Sequence, residues 1–190
     1  MTLAAIVLLV HAGAPGRPRP GATAPPAPTP TAPPTGLPAA PGLPVRPVTL
    51  PLDTVNPCAL ITPAQQAELG TRAGEPAEIL QQPGRFDCLW SNPDVGVDHR
   101  WLAIPVLEHG VEHYLADGPV QLVGGFASVR TDVTPGGCEL FIDVAPGQAL
   151  EVEYLASARR NPAMNPKVAC QRATKAAEMM VATLRALAPR

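Results

Sequence analysis

The chain has 190 residues, 26 of them proline and four cysteine, with a formal net charge of −2. Fourteen prolines crowd into residues 15–51, and every acidic residue lies after them, so the remaining body holds 11 basic against 16 acidic residues, net −5. A mildly acidic surface repels phosphate backbones, and aromatics at 4% leave little for bases to stack on, which argues against nucleic acid as a partner.

Residues 3–10, LAAIVLLV, form an unbroken apolar run of eight, the size of a signal-peptide core and too short to span a bilayer. Ala12, Gly13 and Ala14 follow as small residues of the kind a signal peptidase reads, although no Lys or Arg precedes the run. Residues 1–14 are therefore expected to be a signal-like segment with an incomplete basic start, and any membrane association is expected to run through the N-terminus. Residues 15–51 lack a hydrophobic period and are expected to form a disordered linker. At ~3.1 Å per residue in polyproline II, such a linker reaches on the order of 100 Å. Residues 52–190 are expected to fold as a single domain.

In the body, Thr62, Pro63 and Gln65 fit a capping box and Gly70 supplies a left-handed stop, predicting a helix over Pro63–Leu69. RFDCLWSNPD predicts a strand ending at a turn on Asn92-Pro93-Asp94. HRWLAIPVLE predicts the next, with Leu102, Ile104 and Val106 on one face. Trp101 shares the opposite face with His99 and Ala103; it is expected to be exposed and is the candidate ligand contact. Pro105 inside this run suggests an edge strand or a bulge. GVEHYLADG reads as a second short helix, and GGFASVRTDV as a strand opened by a glycine pair. CELFIDVAPGQALEVEYLA alternates on both sides of Pro146-Gly147 and predicts a hairpin. Asn165-Pro166 caps a last helix over 167–187, whose packed face carries Ala169, Ala173, Ala176, Met180, Leu184 and Leu187. The expected fold is α+β: an antiparallel sheet of about five strands with helices mainly on one face.

Cys58, Cys88, Cys138 and Cys170 are an even set, which in an exported domain reads as two disulfides with three possible connectivities. Topology favours 58–88 and 138–170, because each pairs an element with the one that follows it. Loops of roughly 30 residues stabilise by about 3.5 kcal/mol apiece on chain-entropy grounds. Cys58 raises the alternative of a reactive thiol at a helix N-terminus. However, the cap is Thr62, four residues later, and the thiol gains nothing from the helix. The spacings contain no C-x-x-C of a zinc or thioredoxin-like site.

One motif suggests catalysis. Residues 109–113, HGVEH, match H-x-x-E-H, in which His109 and His113 on one helical face would ligate zinc and Glu112 would act as base. Glu178 is a nominal third ligand. Gly110 weakens such a helix, and a solvated turn is the blander alternative. Ser91, Ser128 and Ser157 lack a nucleophile elbow, and Gly124-Gly125 reads as a turn rather than a phosphate loop. Trp90, beside Cys88, is expected in the core. No cofactor is expected.

NPCALITPAQQAELG, CLW, VGGFASVR, a Cys-led hairpin and a Cys-bearing, Ala-rich terminal helix together resemble domain-of-unknown-function family 3558 over residues 53–188. The resemblance implies a small exported actinobacterial envelope protein, commonly a lipoprotein, though no lipid-accepting cysteine precedes Cys58. It implies no activity. The functional expectation is an exported envelope accessory or binding module without a catalytic site, its partner an envelope protein, a lipid or a glycan. The alternatives are a zinc hydrolase on residues 109–113 or a purely structural or inhibitory protein. An apolar cavity above roughly 300 Å³ would favour binding.

Overall fold

The computed structural model describes residues 42–78, 86–92, 99–131, 136–156 and 164–188. Helix α1 spans Pro63–Leu69, with the capping box of Thr62 and Gln65 formed on both sides and Gly70 left-handed at φ 69°. Strands β1 (Glu75–Glu78), β2 (Phe86–Asn92) and β3 (His99–Val106) follow, then β4 (Val120–Val123), β5 (Phe126–Thr131), β6 (Gly137–Ala145), β7 (Gln148–Ala156) and helix α2 (Pro166–Leu187). The strands form one sheet in the order β1-β2-β3-β7-β6-β5-β4, antiparallel throughout.

The α+β class holds, but the described residues contain seven strands, where about five were expected. The two additions are the four-residue edges. Strand β1 reads EPAE, with no β-branched or aromatic residue, and Pro76 is tolerated because an edge strand has an unpaired side. Strand β4 joins β5 through Gly124-Gly125, both at positive φ (55° and 86°), as a two-residue hairpin turn needs. The glycine pair thus closes a hairpin whose first strand went unread.

Other local expectations divide. The β6–β7 hairpin turns at Pro146-Gly147, with Gly147 at φ 66° and a bulge between Ile142 and Ala145. Pro105 lies in an interior strand. The β2–β3 pairing stops at Cys88–Ala103, two residues short of it, so only the β7 side is ladder-paired there. The second short helix is a single 3-10 turn, Val111–Tyr114, with no side-chain cap from Gly110. The Asn92-Pro93-Asp94 turn runs outside the described residues.

Helix α2 begins on Asn165, whose side chain accepts from the Val168 N–H. Ala169, Ala173, Ala176, Met180 and Leu184 are buried, as their spacing requires, whereas Leu187 is 56% exposed and lines a small surface pocket with Leu50, Pro51, Thr54 and Leu184. The helix covers the face of the sheet that carries Trp90, Trp101, Ala103, Leu140, Ile142, Val152 and Tyr154. Helix α1 is tied to it: Gln65 donates to the Met179 carbonyl and accepts from Thr183, and Lys175 pairs with Glu68.

The packed body begins before residue 52, the expected boundary. Leu50 and Leu52 are buried in the main core, and the Leu50 N–H donates to the Val144 carbonyl at 2.8 Å. Arg46 is 4% exposed; its Nη2 donates to Asp143 Oδ1 at 2.5 Å and its Nε to the Asp143 carbonyl at 3.1 Å. Leu43 packs with Tyr114 against Val111, Val129 and Phe141 on the sheet face opposite α2. The prolines around these residues gave the segment the composition of a linker, while its buried positions belong to the fold.

Two stability experiments follow. Cys138→Ala with Cys170→Ala opens a 32-residue loop and should lower the urea unfolding free energy by about 3.5 kcal/mol. The intact protein should show no reactive thiol when denatured without reductant. Arg46→Ala leaves the Asp143 carboxylate buried without its cation and should cost about 3–5 kcal/mol in the same assay. A loss below 1 kcal/mol would mean that the arm contributes nothing to the folded domain.

Candidate functional site

The cysteines come together as Cys58–Cys88 and Cys138–Cys170. Cys58 lies in a 3-10 turn, Pro57–Ala59, where its N–H donates to Asn56 Oδ1. It is bonded, so it offers no nucleophile. Trp90 is fully buried, and Gly74 passes so close that a β-carbon there would meet both Cys88 Sγ and the Trp90 indole at 2.6 Å.

Trp101 is 2% exposed, which corrects the expected exposure. Alternation identifies two faces of β3 and does not say which one α2 covers. The buried face is His99, Trp101, Ala103, and the partly exposed one carries Leu102 and Ile104. His99 Nδ1 lies 2.5 Å from the Tyr154 hydroxyl, and Trp101 packs on Tyr154 with ring centroids 5.1 Å apart.

His109 and His113 are neighbours, with ring centroids 4.2 Å apart, but His109 precedes the 3-10 turn and its Nε2 is hydrogen-bonded to the Tyr114 hydroxyl at 2.9 Å. Glu112 folds back over Gly110. Among the described residues, no third His, Cys, Asp or Glu joins the two histidines in a group that could hold a metal. Glu178 lies on α2, in a groove with Arg130, Lys167 and Lys175. Ser128 is fully buried in β5, Ser91 pairs with Arg100 in the β2–β3 ladder, and Ser157 lies outside the described residues.

Two features emerge that sequence reading missed. The first is a cleft of about 530 Å³ at the start of the packed body. Leu52, Val55, Pro57, Pro76, Pro105 and Leu107 line it, with Phe86, 50% exposed, also at its wall, and Asp53 and Asn56 are its polar groups. One wall is fixed by Gln148, which accepts from the Leu52 N–H and donates to Asp53 Oδ2, both at 2.8 Å. The cleft gathers residues 52–57 with Pro76, Phe86, Pro105 and Leu107 from three separate strands and the residue after β3, and no local pattern announces such a grouping, which is why it was not legible.

The second is acidic, on the sheet face opposite α2. The register puts Glu75, Leu89, Leu102, Glu153, Glu139 and Thr131 in one cross-strand row. The adjacent row runs Ile104, Glu151, Phe141, and Asp87 stands opposite Ile104 when the β2–β3 register is continued by one residue. Glu139 and Glu153 are thus directly opposed, a destabilising placement for two like charges. Burial, and then the Glu139 charge, push Glu151 up to about 8 and Glu153 up to about 7. Burial also raises Asp87. Thr131 donates to Glu139 at 2.8 Å.

Residues 11–183, most of the chain, match the model of DUF3558, described as a protein of unknown function. The chain belongs to this family. No curated protein and no solved structure matches it. No helix among the described residues of this DUF3558 protein is long and apolar enough to cross a membrane.

The carboxyls fix a pH dependence. Glu151 and Glu153 hold their protons in the fold up to about pH 8 and about pH 7, whereas an ordinary glutamate releases its proton near 4.5. Between those values the unfolded chain binds fewer protons than the folded one, so stability falls as pH rises. The favourable contribution is complete below about 4.5 and is lost through the folded values. The urea midpoint should therefore drop from pH 5 to pH 8, and Glu151→Gln should flatten that drop. A midpoint that rises over this interval would contradict the assignment.

Proposed function

We propose that this DUF3558 protein is an exported envelope binding module whose cleft takes an apolar ligand, with a lipid acyl chain the chemistry that fits best. The observation carrying this reading is the cleft itself. Its volume of about 530 Å³ lies within the usual range for small-ligand sites, and its walls are aliphatic, proline and phenylalanine with two polar groups. Two disulfides are the mark of an oxidising compartment, and the apolar run at residues 3–10 supports export. The zinc-hydrolase reading has less support, since the histidine motif does not form the helix that would place both rings as ligands.

Titration with cis-parinaric acid, a fluorescent acyl chain, should show saturable binding near one per protein. Val55→Trp fills the cleft and Leu107→Asp places a charge in its wall; either should weaken binding about tenfold or more, the scale of losing one well-buried aliphatic side chain. Unchanged affinity in both variants, or no saturable binding, would sink the proposal.

A further inference from the structure

The acidic face is built unlike a solvated charged surface. Leu89, Leu102 and Ile104 make an apolar strip across β2 and β3, and Glu139, Glu151 and Glu153 border it on β6 and β7. Asp87 closes the other side. It is 9% exposed, and its Oδ1 is buried with no hydrogen-bond partner. A carboxylate oxygen left this way costs stability unless something supplies a donor. The charges acting on Glu151 are Glu139, Glu153 and Asp87, all of one sign. Among the described cations near this face, Arg46 is engaged by Asp143, and Arg100, itself engaged, stands beyond Leu102 and opposite Leu155. Glu75, on β1, adds a further negative charge.

We propose that this face is the docking surface for a basic, amphipathic segment of a partner protein, whose lysines or arginines meet Asp87, Glu139, Glu151 and Glu153 while its apolar side chains cover Leu89, Leu102 and Ile104. The charge pattern selects the occupant. An acyl chain offers no hydrogen-bond donor to the buried Asp87 Oδ1 and a neutral glycan offers no apolar flank for Leu102 and Ile104, whereas a basic amphipathic segment supplies both. The site lies on the opposite face of the sheet from the wall of the apolar cleft formed by Pro76 and Pro105, so the two proposals fail independently.

The carboxyls that hold protons must release them to meet a cation, so docking should expel protons near neutral pH. The test is calorimetric titration of the full chain at pH 7 with an alternating Lys-Leu decapeptide, in two buffers of different ionisation enthalpy. Expected are one-to-one binding with net proton release, and no binding of the matching Glu-Leu peptide. The double variant Glu151→Gln, Glu153→Gln keeps the shape and the neutral state, so it should fold; it should abolish the release and weaken binding about tenfold or more. Glu68→Gln, an exposed acid on α1, should change neither. Equal binding by the double Gln variant, or binding without proton release, overturns the proposal. So does release of the same protons by Ca²⁺ or Mg²⁺ that blocks the peptide, which would make this a cation site. Peptide binding that appears only in an Arg17→Ala, Arg19→Ala chain would assign the face to the protein's own leader and overturn it equally.

Discussion

The covering of one sheet face by α2 is the constraint on which the rest of the structure depends. Cys138 at the start of β6 is bonded to Cys170 near the start of α2, so the helix can lie only on the side to which Cys138 points. Residues two apart along a strand share that side. The choice therefore sends Leu140 and Ile142 inward and Glu139, Phe141 and Asp143 outward. Cross-strand pairing passes the same decision to β7 and β3, burying Tyr154 and Trp101 and turning Glu151, Glu153, Leu102 and Ile104 to the other side. One covalent bond thus fixes the orientation of both faces.

The outer face has its own partial cover. The arm around Arg46 and the 3-10 turn lie against β5 and β6, where Leu43 and Tyr114 meet Phe141. Tyr114 stacks on the Phe141 ring with centroids 3.6 Å apart. The cover ends there, beside Glu139 and Glu151, which are the neighbours of Phe141 along β6 and across to β7. This explains why the carboxyls are shielded enough to keep their protons, and among the described residues the charges that raise them are all acidic.

The cysteines bear on compartment and chemistry together. Both pairs are bonded, so the thiol that stands before α1 is a staple, and the 3-10 turn it occupies helps wall the apolar cleft through Pro57. The histidine pair, the other hint of catalysis, is held by the tyrosine that packs on Phe141. Cys58 is thus bonded within the fold and the histidine pair is packed beside Tyr114, and the proposed binding surfaces are built from other residues, the cleft and the acidic face.

Local chemistry by itself determined α1, the β6–β7 hairpin, the start of α2 and a preferred disulfide pairing, because caps, turn residues and loop closure act over a few positions. It also carried the family resemblance. It did not give β1, whose EPAE forms a strand only because β2 offers an edge, nor the arm at Arg46, whose prolines look like linker and whose partner is 97 residues away. It identified two faces of β3 and favoured the wrong one as exposed, since a period of two is symmetric until a helix covers one side. The cleft and the carboxylate rows share that origin. Each gathers side chains from distant strands, and register, which tertiary pairing alone decides, is what brings them together.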